Sequence, residues 1–431
     1  MSSEAALRPD TPMPPTATAD RHLQTHVSHA RWEGVPGVAP ARWVGRGVLL
    51  VVVAVGLAAG GLATRMIWQQ ADSSSDHAGD VVRAKPDSSP SASVVTPVVL
   101  PRRSRASYPK RLSEFGLFAG PLGDLQPAHG VIEYQLNTPL FTDYAEKQRL
   151  IKLPEGTAAG YTADGPLDFP VGTVIAKTFY YPADLADAAG DRRIVETRIL
   201  EHREDGWVGI PYLWNAEQTD ATLALTGGEV AVAWVHTDGE PRENLHLVPN
   251  FNDCKRCHAT PTMQPLGPKS RNLNRDVAAG GPSGQLVNQL VAWSTDGVLA
   301  GMPEHAAVPR LADWDDPASG TVEERARAYL DVNCAHCHSE QGPARNSGLH
   351  LDVATADPYR LGVFKTPVAA GRGTGGRLYG IVPGKPHESI LHYRVETTKA
   401  GEMMPEFGRS LVHVEGLALI TEWIEGIESP E

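Results

Sequence analysis

Between residues 108 and 250, short runs of β-branched and aromatic residues alternate with turn residues; from residue 251 onward the apolar spacing changes to that of helices. The runs are VIEYQL (131–136), TVIAKTFYYP (173–182), RRIVETRIL (192–200), WVGIPYLW (207–214) and EVAVAWVHT (229–237), punctuated by Pro170-Val171-Gly172, Asn215 and Thr226-Gly227-Gly228. In the last run Val232, Trp234 and His236 alternate with Ala231, Ala233 and Val235, a period of two that sends one set inward. This predicts an antiparallel β domain over 108–250, sandwich or barrel-like. Beyond it, Leu286, Val287, Leu290 and Trp293 predict a short amphipathic helix that follows Ser283 and ends near Gly297. Thr321-Val322-Glu323-Glu324 has the form of a capping box. The helix it starts places Val322, Ala326, Tyr329 and Leu330 on one face and runs into Cys334. Leu417, Ile420, Trp423, Ile424 and Ile427 predict a closing amphipathic helix. The fold class expected is multidomain α+β, an antiparallel β domain followed by a mainly α region.

The amino-terminal part is different. Residues 1–42 are polar and aperiodic, which predicts a disordered tail. Residues 47–64 form an uncharged run of eighteen apolar or small residues, long enough to cross a bilayer as a helix. A cleavable signal ending at Gly61-Leu62-Ala63 is the alternative, but the lead before the run exceeds forty residues, long for a signal. We expect an uncleaved anchor over 43–68. Arg42 and Arg46 lie before the run, and Asp72 and Asp76 follow it beyond Arg65, so the tail is expected in the cytoplasm and the body outside, in the periplasm. Residues 69–107, rich in Ser and Pro, read as a semi-extended linker.

The net charge of −12 argues against nucleic acid as a partner. The four cysteines change the picture more. They fall as Cys254-Lys255-Arg256-Cys257-His258 and Cys334-Ala335-His336-Cys337-His338, so every cysteine belongs to a C-x-x-C-H. Two thiols three positions apart sit on one helical turn and reach the two vinyl groups of one haem; the following histidine then projects its imidazole to the iron. A zinc ribbon spaces its pairs about 15–20 residues apart, whereas these begin 80 apart. A thioredoxin-like dithiol belongs in a βαβ context that is absent from the pattern. The chemistry predicted is two covalently bound haem c groups, with Cys254, Cys257, Cys334 and Cys337 as thioether positions and His258 and His338 as iron ligands. The first haem segment is expected over 251–318 and the second haem domain over 319–431.

The order of helix, haem motif, Met-Pro loop and closing helix in the second segment resembles a class I cytochrome c domain. In that family the methionine before the proline is the distal ligand, which implies Met404 in Glu402-Met403-Met404-Pro405. A thioether there raises the potential and closes the coordination site. For the first haem, Met302 in Gly301-Met302-Pro303 shares the Met-Pro feature and is the expected distal ligand; His246, His305, His392 and His413 are its rivals. Two arginines on the glycine-rich run 371–377, Arg372 and Arg377, are expected to pair with propionates, since guanidinium binds carboxylate bidentately.

From residue 112 nearly to its end the chain is also similar to a family of diheme c-type cytochromes with a cysteine-free amino-terminal β domain. The similarity rests on LSEFGLF (112–118), LNTPLFTDYAEK (136–147), FPVGTVIAKTFYYP (169–182), NAEQTDATLAL (215–225), GPKSRNLNR (267–275), AYLDVNCAHCH (328–338), VAAGRGTGGR (368–377) and MMPEFGR (403–409). The resemblance implies two covalent haems on an exported protein and leaves the reaction open. The leading expectation is electron transfer between redox partner proteins at the outer face of the cytoplasmic membrane. The rival is a peroxidase-like diheme oxidoreductase with an open first iron and Trp293 and Trp314 as relays; a third is a binding role for the β domain. The anchor reading predicts that the protein runs at full mass in purified membranes. A mature amino terminus near Thr64 contradicts it.

Overall fold

The computed structural model describes residues 107–187, 189–259, 262–278 and 285–429. The expected tail (1–42), anchor (43–68) and all but the last residue of the linker lie outside the described residues. Among those described, no helix is long and apolar enough to cross a membrane.

The first half contributes β1 (Val131–Glu133), β2 (Glu146–Lys152), β3 (Ala159–Gly160), β4 (Val174–Pro182), β5 (Arg192–Arg203), β6 (Gly206–Trp214), β7 (Ala221–Leu223), β8 (Gly228–Val235) and β9 (Pro241–Val248). Six of these pair in the order β1-β2-β4-β5-β6-β7, antiparallel throughout. β1 and β7 are its edges, so the sheet is open and does not close into a barrel. One face is mainly apolar: Leu150, Ala176, Ile199, Ile210 and Tyr212 pack with Leu112, Leu117 and Leu125 from the segment before β1, and the buried Thr178 and Thr197 hydroxyls on it bond to each other. The other face changes character along the strands. At one end lie Ile151 and Ile175. At the other, Phe179, Tyr181 and Val195 pack under Val232 and Trp234 of the β8–β9 hairpin, which forms a second layer there. A register shift after Phe179 leaves Val195 unpaired and turns it onto that face. In the middle, Arg149, Lys177 and Arg198 stand opposite one another on β2, β4 and β5.

The second half contains α1 (Cys254–His258), α2 (Ser270–Leu273), β10 (Asp276–Ala278), β11 (Leu286–Asn288), α3 (Gln289–Thr295), β12 (Leu299–Ala300), α4 (Val322–Asn333), α5 (Pro358–Leu361), α6 (Ile390–Glu396) and α7 (Val414–Gly426). Together with the sheet this is an α+β arrangement. The helix expected over 286–297 begins later: Leu286–Asn288 pairs with β10, and the Asn288 side chain then caps α3 by accepting from the Leu290 and Val291 amides. The capping box of α4 forms as expected, with the Thr321 hydroxyl accepting from the Glu324 amide and the Glu324 carboxylate from the Thr321 amide. Ala326, Tyr329 and Leu330 of α4 meet Leu419, Ile420, Trp423 and Ile424 of α7 in one core.

The expected boundary at residue 250 does not divide two bodies. Tyr134, Leu136, Phe169 and Ile175 from the sheet side share a core with Leu273, Leu290, Trp293, Leu299 and Val308, and β12 pairs in parallel with β3. All the described residues belong to one compact unit. Leu273 is fully buried at this junction, so Leu273→Ala is expected to cost about 2–5 kcal/mol. Far-UV circular dichroism and tryptophan fluorescence should then show one common urea transition at a lower midpoint. Two separated transitions would contradict the shared core.

Candidate functional site

Helix α1 rests on β6 at Gly209. A Cβ at that position would lie 2.8 Å from the Cys254 Cβ and 2.8 Å from the Met263 Cε, so the helix approaches the strand only because position 209 has no side chain. Cys254, Cys257 and His258 then open on a cavity of about 860 Å³ that Arg149, Lys177 and Arg198 of the sheet also line. The His258 Nδ1 lies 2.8 Å from the Gln264 carbonyl oxygen, to which Nδ1–H donates. That bond fixes the tautomer and leaves Nε2 as the free electron pair. Burial lowers the imidazole to about 3, keeping it neutral as a metal ligand must be.

The second motif begins where α4 ends, with Cys334 as its C-cap. Cys334, Cys337, His338 and Met404 line a second cavity of about 420 Å³, padded by Leu351, Leu361 and Ile390. The Ser347 hydroxyl donates to the Ala344 carbonyl at 2.7 Å and so accepts from the His338 Nδ1–H at 3.1 Å. Burial lowers His338 to about 4. The loop bearing Met404 is held by one guanidinium: buried Arg409 donates to the carbonyls of Met404, Arg394, Thr397 and Leu411. The Met404 amide in turn donates to the Arg394 carbonyl at 2.7 Å.

The donor sets fit haem c. Both cavities fall in the range of roughly 300–1,000 Å³ common for small-molecule and cofactor sites, each with a thiol pair and a neutral, oriented imidazole on its wall. None of the four cysteines is in a disulfide. Burial pushes all four thiols up, Cys334 to about 12 and Cys337 to about 11. A redox dithiol needs the opposite, a thiol drawn down toward neutrality. Among the described residues no three His, Cys, Asp or Glu side chains gather around one point. The cysteines stand instead as two pairs on separate walls, and the two motifs touch: the Cys337 Sγ is 4.0 Å from the Arg256 carbonyl oxygen. Cys257, Asn333, His336, Pro405, Glu406 and Phe407 line both cavities.

Several expected ligands stand elsewhere. Met302 packs against the core around Trp293 and does not line the first cavity, because Leu299 and Ala300 just before it are tied to β3. Of its rivals, His246 alone reaches that cavity, but Tyr181 at 3.1 Å and Glu196 at 2.8 Å occupy its two nitrogens. His305 and His392 bond to Asn274 and Thr421, and His413 to the Tyr329 hydroxyl, all outside both cavities. Arg372 and Arg377 line neither cavity; the Arg377 guanidinium stacks on Tyr393 and donates to the His387 carbonyl. Their glycines serve packing, since a Cβ at Gly373 would lie 2.9 Å from the Arg394 Cζ and one at Gly375 would lie 2.5 Å from the Tyr393 ring.

Other side chains take these places. Arg394 lines the second cavity. Met403, the neighbour of Met404, lines the first. On the sheet wall, burial and the adjacent Arg198 and Arg149 lower Lys177 to about 7. The chain offers no local signal for this row, because its members lie on three strands, one of which, EKQRLIK, reads as polar. No family model, curated protein or solved structure matches this chain. Gly209→Ala is expected to destabilise by about 1–3 kcal/mol, the usual cost of overpacking, in denaturant titration. An unchanged midpoint would contradict the contact between α1 and β6.

Proposed function

We propose that the chain is a diheme c-type cytochrome that transfers electrons at the outer face of the cytoplasmic membrane. One observation carries the reading: two C-x-x-C-H motifs 80 residues apart in the chain abut in the fold, with His258 on one cavity, His338 on a second, and Cys257 and His336 between them. Cys254 and Cys257, and Cys334 and Cys337, would form the thioethers; His258 and His338 would be the proximal ligands. When bound, the two groups would supply one-electron exchange between ferric and ferrous iron.

The residues of the chain do the rest. The carbonyl of Gln264 and the hydroxyl of Ser347 orient the two imidazoles. Met404 shares the second cavity with His338, and a thioether there would close that site to substrate. Leu349, Leu351, Leu361 and Ile390 line the second cavity, and a haem bound among them would be partly shielded from water, which would favour the less charged ferrous state. The residues common to both cavities leave only one layer of protein between them, as a pair of carriers requires. The likeness to diheme c-type cytochromes and the anchor expected over 43–68 supply the location, with the body exposed to soluble redox partners.

A peroxidase-like oxidoreductase is the second reading, and one observation favours it: Met302, the methionine expected opposite His258, is elsewhere. Against it, Trp293 and Trp314, the expected relays, line neither cavity. Haem content after denaturing electrophoresis tests the proposal. Two haems per chain are expected. Replacing Cys254 and Cys257 together by Ala, or Cys334 and Cys337 together, should remove one each. A chain without covalently retained haem would refute the reading.

A further inference from the structure

The polar row in the middle of the sheet is unusual for where it lies. Arg149, Lys177 and Arg198 are directly opposite one another on three neighbouring strands, and all three line the first cavity. Like charges directly opposite one another destabilise a sheet, so such a row persists where something compensates it. Part of the compensation is within the chain. Phe179, fully buried, lies beneath it, with Arg198 4.3 Å and Lys177 5.1 Å from the ring centroid.

Glu196 is the one carboxylate beside the row, and it is committed. It takes Arg198 through two hydrogen bonds and His246 through a third. Arg149 is 9% exposed and donates to a single backbone carbonyl, that of Lys147. Among the described residues neither Arg149 nor Lys177 has a carboxylate partner. Of the other carboxylates on the cavity wall, Asp143 is engaged by the amides of Ser410 and Leu411, Asp253 by Arg256, Asp331 by Arg271 and Lys269, and Asp352 by Thr355; exposed Glu229 and Glu406 also line the cavity, and neither forms an ion pair with Arg149 or Lys177. The row therefore presents two unmatched cations to a cavity that Cys254, Cys257 and His258 also line.

We infer that the row is the carboxylate anchor of the first cavity, Arg149 and Lys177 holding the two propionates of the haem attached at Cys254 and Cys257. The inference rests on the diheme reading and gives the β-sheet a part in it: the cysteine-free half of the chain supplies the electrostatic wall of the first haem. Two carboxylates match two unpartnered cations, and the planar fork of Arg149 suits bidentate binding. Fixed positive charge beside a haem also favours its ferrous form, so the sheet would set the first potential above what its exposure alone would give.

The test uses the full-length holoprotein and spectroelectrochemical titration of each haem separately, with covalent haem content measured alongside. Lys177→Met and Arg149→Met should each lower the ferrous-to-ferric ratio of the first haem about tenfold at a fixed potential, or about 59 mV for one electron. The second haem should not move, and Lys177→Arg should restore the first. Both variants with two haems and unmoved potentials would overturn the inference and leave the diheme reading standing. A wild-type chain without covalent haem would overturn both. Added acetate that shifts the first haem saturably in the wild type and not in Lys177→Met, with potentials otherwise unmoved, would assign the row to an external carboxylate and overturn the propionate assignment.

Discussion

Helix α1 lies directly on strand β6, and it does so because position 209 carries no side chain. That one approach fixes the depth at which the first cysteine pair sits, and it makes the middle of the β-sheet a wall of the first cavity. It also sets the place where the end of α4 can dock, since Cys337 reaches the backbone of α1 at Arg256. The two motifs thus converge through a chain of backbone contacts that begins at a glycine on a strand. A core shared between the sheet and the segment from α2 to β12 keeps these parts in register.

Around this contact the chain spends polar interactions where apolar packing cannot aim a side chain. The Met404 loop is short of regular structure, and Arg409 holds it by donating to four carbonyls across the loop. Hydrogen bonds to a charged donor contribute roughly 1.5–3 kcal/mol each, and with the Met404 amide on the Arg394 carbonyl of α6 they order the loop. Ser347 and Gln264 do the same for the two histidines. The arrangement keeps both imidazoles neutral and pointed, at the cost of burying them.

Much of this was legible in the chain itself. The inward set Val232, Trp234 and His236 is buried as its period of two required, and the capping box at Thr321 starts α4. Two long strands were not legible. EKQRLIK, strand β2, opens on four charged or amide residues and reads as a polar loop; it is a strand because its neighbours β1 and β4 pair with both its edges. PRENLHLV, strand β9, is held by the β8 hairpin, and its alternation misleads: Arg242, Asn244 and His246 turn inward while Leu245 and Leu247 are exposed. Met302, Arg372 and Arg377 stand out in the chain only by a neighbouring proline or glycines. Long-range packing decided otherwise, through the β3–β12 pairing in the first case and the fit of the glycine run around Tyr393 and Arg394 in the second. The cationic row was hidden for a related reason: each of its members comes from a different strand, and only the register brings them together.

The central claim is that two covalent haems would occupy the neighbouring cavities, separated by the residues that line both. Circular dichroism in the Soret region tests it most directly, because two strongly absorbing chromophores held that near each other couple and split the band. The account predicts a band of two opposite signs for the full chain, lost when either cysteine pair is replaced by alanine. A full-chain spectrum equal to the sum of the two single-haem variants would contradict it.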